Sequence, residues 1–121
     1  MSEDDSGDES GWYPFDDGRT IGTAGSEAGV ILADDEHGDG ARITLERDTR
    51  SAPFAITCGI YGWMMHTCRF GDEAQARRDY DAMKQALGAI ARAIPMKSDP
   101  DVDARTDATL TAIAEFVERF P

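Results

Sequence analysis

The feature that most constrains this chain is a change of hydrophobic period at Gly71-Asp72. Before that point apolar residues recur at every second position. Ala41, Ile43 and Leu45 alternate with Arg42, Thr44 and Glu46, the pattern of a strand with one buried face. Phe54, Ile56, Cys58 and Ile60 repeat it, as do Met64, His66, Cys68 and Phe70, and residues 29–33 add an aliphatic run. After that point Ala76, Tyr80, Met83, Leu87, Ile90 and Ile94 lie four and three residues apart in turn, one continuous helical stripe. Strands followed by helices are the mark of an α+β fold.

Turn residues set the connections. The stretch DDEHGDG at 34–40 reads as a turn between strands 29–33 and 41–47, and the polar stretch 48–53 ends at Pro53 as a loop. The hairpin of 54–61 and 64–70 turns around Gly62 and admits two registers. A three-residue turn at 62–64 sets Tyr61 opposite Met65 and Cys58 opposite Cys68, with both apolar rows on one face. A two-residue turn at Tyr61-Gly62 flips the second strand. The first gives the more coherent face and is the expectation.

Asp72, with Gln75 three residues on, is a variant capping box for the first helix. Pro95 ends that helix. The second is expected to start at Ser98-Asp99-Pro100, where the missing proline N–H costs nothing, with Asp101 and Asp103 at the positive end of its dipole. Val102, Leu110, Ile113, Phe116 or Val117, and Phe120 would line its buried side. The expected architecture is a four-stranded antiparallel β-meander of two hairpins, followed by two C-terminal amphipathic helices packed on one sheet face.

The N-terminal region differs in composition. The first 18 residues hold seven acids and no Lys or Arg, whereas the rest holds 17 acids against 12 bases, so much of the formal charge of −12 sits at one end. Residues 1–11 carry too little apolar surface to offset chain entropy and are expected to be a disordered acidic tail, with residues 12–121 a single domain. Trp12, Tyr13 and Phe15 should pack on the body as an irregular strap. Residues 16–29 are glycine-rich loop with room for a short strand near Arg19.

Composition excludes several classes. Clustered Lys and Arg are missing, which disfavours nucleic acid. Nothing approaches the roughly 18 apolar residues of a membrane span, and the start Met-Ser-Glu-Asp-Asp does not resemble a secretory signal. A cytoplasmic location is the default, with Cys58 and Cys68 as free thiols. A disulfide between them is possible in the preferred register and disfavoured by a reducing compartment. The chain has no phosphate loop, no Gly-x-Gly-x-x-Gly, no Gly-x-Ser-x-Gly and no His-Glu-x-x-His, and no cofactor is expected.

Three constellations remain. Asp35, His37, Asp39, Gly40 and Glu46 fall at ligand positions of an EF-hand loop, but the flanks read as strands and an EF-hand needs helices. A charged hairpin loop is the simpler reading, leaving only adventitious cation binding at Asp34, Asp35 and Asp39. His66 and Cys68 share a strand face with Cys58 across the hairpin. Three soft ligands or a Cys–His pair are conceivable there, whereas core packing with the imidazole bonded to a carbonyl is the commoner outcome. Finally Tyr61, Trp63, Met64 and Met65 crowd the hairpin tip, and aromatic and Met residues are enriched at interface cores.

The leading functional expectation is therefore a small acidic non-enzymatic protein-interaction module. Its partner would be another protein or a second copy of itself. The alternative is a small ligand-binding protein or enzyme with a pocket around Tyr61, Trp63, His66 and Cys68. Tyr61, Trp63, Met65, His66 and Cys68 are the candidate contact residues in either case.

Overall fold

A computed structural model describes residues 10–121. One antiparallel sheet has strands β1 (Trp12–Pro14), β2 (Val30–His37), β3 (Ala41–Arg47), β4 (Phe54–Ile60) and β5 (Met64–Phe70), in that spatial order. Helices α1 (Glu73–Arg92) and α2 (Val102–Arg119) follow. The α+β class holds, but the sheet has five strands rather than four. The fifth is the segment expected as an irregular strap. Trp12, Tyr13 and Pro14 pair with His37, Glu36 and Asp35, and proline is tolerated there because β1 is an edge strand. The expected tail of 1–11 lies mostly outside the described residues. Within them, the Ser10 carbonyl accepts from Arg92 at 3.0 Å and the Gly11 carbonyl from Gly38 at 3.3 Å.

The inner sheet face is the core. Ile43 and Leu45 of β3, and Ile56, Cys58 and Ile60 of β4, are buried against Ala76, Tyr80, Met83 and Leu87 of α1. The stripe read from sequence is thus the buried face of α1. Asp72 caps it, its carboxylate accepting from the Gln75 N–H at 3.0 Å. The reciprocal half of a capping box is absent, since the Gln75 side chain donates to Asp79 instead.

Four local expectations need correction. Residues 34–37 continue strand β2 rather than turning, and the turn is confined to 38–40. Their polar side chains find strong partners: Asp34 meets Arg42, and Asp35 meets Tyr80 and Lys84. Residues 19–23 make turns, with an isolated bridge from Ala24 to Val30 beside them and the Gly22 N–H donating to the Ile31 carbonyl. Helix α2 starts at Val102, not at Ser98. The Asp99 carboxylate accepts instead from the Met96 N–H and from Arg105, closing the connection before the helix. In α2 the buried residues are Thr109 and Phe116, followed by Phe120, whereas Leu110 and Val117 are exposed. Ile113, Phe116 and Phe120 face inward as expected, and Thr109 joins them, its hydroxyl satisfied by donating to the Arg105 carbonyl at 2.9 Å.

The β4–β5 register also differs. Ile60 pairs with Met64 and Cys58 with His66, so the connection is Tyr61, Gly62 and Trp63. The Trp63 N–H donates to the Ile60 carbonyl at 2.8 Å, and Gly62 at φ +80° supplies the left-handed third position that this turn needs. The two-residue shift preserves the expected faces. It moves Cys68 opposite Ile56, and both cysteines are free.

Candidate functional site

The outer sheet face is built differently. Its rows hold Arg42, Thr44 and Glu46 on β3, with Ala55, Thr57 and Gly59 on β4. Alternation on β3 suggested that this polar side would be wet, yet Thr44 and Glu46 are buried. The cover is the loop between β1 and β2. Its turns satisfy many of its own backbone donors, such as the Thr23 N–H on the Thr20 carbonyl and the Gly25 N–H on the Gly29 carbonyl, and the amides of Glu27 and Gly29 find an acceptor on the sheet instead. The Glu46 carboxylate accepts from the Glu27 N–H at 3.2 Å and the Gly29 N–H at 3.0 Å. A side chain at Gly25 would collide with that carboxylate, so glycine permits the approach. Asp34 anchors the other end of the loop. It accepts from Thr20 at 2.9 Å, from Thr44 at 3.3 Å, and from Arg42 through two nitrogens at 2.9 and 2.7 Å. The Arg42 guanidinium in turn lies 3.5 Å above the Phe15 ring centroid.

The loop covers only part of the face. Between residues 20–26 and the β4–β5 hairpin tip lies a cleft of about 700 Å3. Thr44, Thr57 and Gly59 form its floor, Arg42 and Ile31 line one side, and Tyr61, Trp63 and Met65 belong to the other. Small floor residues create the depression. A Cβ at Gly59 would meet the Met64 carbonyl at 2.9 Å and Met65 Cγ at 3.3 Å, so Met65 lies across the glycine. Tyr61 is 91% exposed and Met65 79% exposed at the rim. The Tyr61 N–H donates to the Gly40 carbonyl at 2.9 Å, tying the tip to the neighbouring hairpin. The Thr57 hydroxyl is buried with no partner among the described residues.

The candidate residues therefore separate into two places. Tyr61, Trp63 and Met65 line the cleft. His66 and Cys68 face the helical layer, where the Phe120 carbonyl accepts from His66 Nε2 and, at 3.2 Å, from Cys68 Sγ. A carbonyl only accepts, so the imidazole carries its proton on Nε2. Together the two groups close the C-terminal end of α2 onto β5, which matches the carbonyl-bonded reading of His66. Burial first, then the neighbouring Cys68, pushes the Cys58 thiol up to about 12. Burial pushes Cys68 up to about 11, with Asp79 adding to the rise and Arg69 opposing it. Neither thiol is a thiolate near neutrality.

The acidic cluster does not converge either. Asp34 faces the outer side and is held by Arg42. Asp35 faces the inner side, accepting from Tyr80 at 2.8 Å and Lys84 at 3.2 Å. Burial, then that bond to Asp35, raises the Tyr80 phenol well above its ordinary value. Asp39 lies beside His37, whose Nδ1 accepts from the Asp39 N–H at 3.0 Å. Glu46, the last position of the EF-hand match, holds the loop backbone. Among the described residues no group of three or more His, Cys, Asp or Glu side chains is placed to hold a metal ion.

Sequence reading found the hairpin-tip side of the cleft and missed the loop side. The available signal was Glu46, an acid on a strand, together with a glycine-rich stretch at 18–29 able to approach it closely. Among the described residues no helix is long and apolar enough to cross a membrane. No protein-family model matches this chain, and no curated protein or solved structure is significantly similar to it.

Proposed function

We propose that this chain is a non-enzymatic interaction module whose contact surface is the outer-face cleft, with the hairpin tip as its rim. The observation that carries this reading is the exposure of Tyr61 and Met65 at the mouth of the cleft. Large apolar side chains left wet beside a concavity suit a partner that inserts an apolar anchor and is gripped around it. The polar groups nearby favour binding over chemistry. Asp34 and Glu46 are engaged in holding the loop, Arg42 is paired with Asp34, and Cys58 is a protonated thiol. A general base and a nucleophile within reach of one another are what catalysis would require.

A second reading, a small neutral ligand in the same cleft, is favoured by the cleft's volume. About 700 Å3 falls within the roughly 300–1,000 Å3 of small-molecule sites. The lining of threonine hydroxyls and apolar groups suits an uncharged molecule.

Displayed short peptides selected against the full chain, then re-tested against Tyr61→Ala and Met65→Glu, check the interaction reading. Enriched peptides should share an apolar anchor and bind at least tenfold more weakly to Met65→Glu. Selection that enriches nothing, or peptides indifferent to both variants, would contradict it.

A further inference from the structure

The two edges of the sheet are unequal. β1 is three residues long and ends in Pro14, a blunted edge. β5 is seven residues long, pairs with β4 without a bulge, and contains neither proline nor lysine. Among the described residues its outward backbone groups have no protein partner. A long, regular, unguarded edge is a template for another strand.

A second feature lies on the same side of the molecule. α1 packs on β3, β4 and β5, and α2 lies beside it at β5, where Phe116 meets His66 edge to face. Ala112 and Ile113 of α2 pack against the core, and Arg105 donates to the Ala93 carbonyl beyond the end of α1. The opposite flank of α2, away from α1, carries Leu110 and Val117, two helical turns apart and 51% and 36% exposed. The free strand edge and this helix flank thus both belong to the β5 end of the molecule, where Phe116 and Phe120 seat α2.

Charge favours a second copy along the strand. Residues 61–70 contain no Asp or Glu and include Arg69, in a chain of net charge −12, whereas on α2 the exposed Asp103 and Asp107 flank Leu110. The strand is a stretch where two copies of an acidic protein can meet without carboxylates opposing one another.

We propose that this chain forms a two-fold dimer through antiparallel pairing of β5 with β5 of a second copy, the Leu110 and Val117 flanks of the two α2 helices meeting beneath the joined sheet. Centring the pairing on Thr67 gives full overlap. It sets Met64 opposite Phe70, His66 opposite Cys68 and Met65 opposite Arg69, with inner faces aligned. The surface is self-complementary, as a two-fold interface requires. It shares the rim residue Met65 with the cleft but not its floor or loop, and the Thr67 and α2 variants leave Met65 in place, so loss of the dimer and loss of cleft binding are distinguishable.

Sedimentation of the full chain over a concentration series tests this. The parent should be a reversible dimer. Thr67→Lys, which opposes two like charges at the axis, and the double variant Leu110→Asp, Val117→Asp should each be monomeric with unchanged helical circular dichroism. A parent that stays monomeric overturns the proposal, as does a dimer that survives both variants. If a variant fails to fold, cross-linking decides. Paired residues across antiparallel strands lie roughly 4.5–5.5 Å apart at Cα, within disulfide span. Thr67→Cys should therefore oxidise to a covalent dimer, whereas Tyr13→Cys on the blunt edge should not. Absence of cross-linking at 67, or equal cross-linking at 13, overturns the proposal.

Discussion

The inner and outer faces of β3 and β4 are made by alternate residues of the same strands, yet they are covered by opposite chemistry. Inward, Ile43, Leu45, Ile56 and Ile60 meet α1. A helix satisfies its own backbone hydrogen bonds, so the sheet beneath it needs to offer only apolar surface. Outward, the cover is a loop of turns that bonds much of its own backbone but leaves the amides of Glu27 and Gly29 needing an acceptor. The sheet answers with Asp34 and Glu46, two buried carboxylates that hold the loop at points of contact. Area-wide packing makes the inner face rigid. Point attachment leaves the outer face partly uncovered, and the uncovered part is the cleft.

Four experiments break or sharpen that contrast, in decreasing order of effect. Leu87→Asp places an unpaired charge in the inner layer and should abolish the cooperative thermal transition. A melt resembling the parent's would contradict the assignment of α1. Glu46→Ala removes the acceptor for two loop amides, that of Gly29 buried and that of Glu27 partly so, and should cost about 1–3 kcal/mol. Hydrogen exchange should quicken at Glu27 and Gly29 and stay unchanged along α1. Uniform quickening would mean that the loop and the core open together.

The third experiment is alkaline titration. Both thiols have folded values above the ordinary 9.0, about 12 at Cys58 and about 11 at Cys68. The folded chain thus keeps protons that the unfolded chain releases. Their contribution is complete below pH 9 and fades as pH rises towards 11 and 12. The parent's denaturation midpoint should fall across that window, and Cys58→Ala should fall less steeply. A midpoint flat over the window would contradict the inner location of the thiols. The smallest effect belongs to Met65→Asp on the outer rim. Stability should change by no more than about 0.5 kcal/mol, although this strand also carries the core residue Cys68.

What could be read from sequence follows the same division. The inner layer obeys periodicity, so Ala76, Tyr80, Met83 and Leu87 announced the α1 face, and Ile43, Leu45, Ile56 and Ile60 the sheet beneath it. The outer layer obeys hydrogen-bond accounting between residues far apart in the chain. Glu46 with Gly29, or Asp34 with Thr20, leave no periodic trace. β1 was obscured by Pro14, which is admissible only once the strand is known to be an edge. Hydrophobicity points Leu110 inward and leaves Phe116 and Val117 as alternatives, of which Phe116 is the buried one, whereas Thr109 is buried with its hydroxyl bonded to its own helix. At the site, Tyr61, Trp63 and Met65 are legible as residues costly to leave exposed, and Tyr61 and Met65 are exposed whereas Trp63 is partly buried against the core. The separation of His66 and Cys68 from them follows from strand parity: Met65 points outward while its neighbour His66 points inward.

The most direct test of the central claim is an amide-resolved shift map of the full chain titrated with a set of neutral aromatic fragments. Saturable shifts are expected at Thr44, Thr57, Gly59, Tyr61 and Met65, with Leu87 and Phe116 undisturbed. Shifts centred on the helical layer, or none at any attainable concentration, would contradict the assignment of the outer-face cleft as the recognition surface.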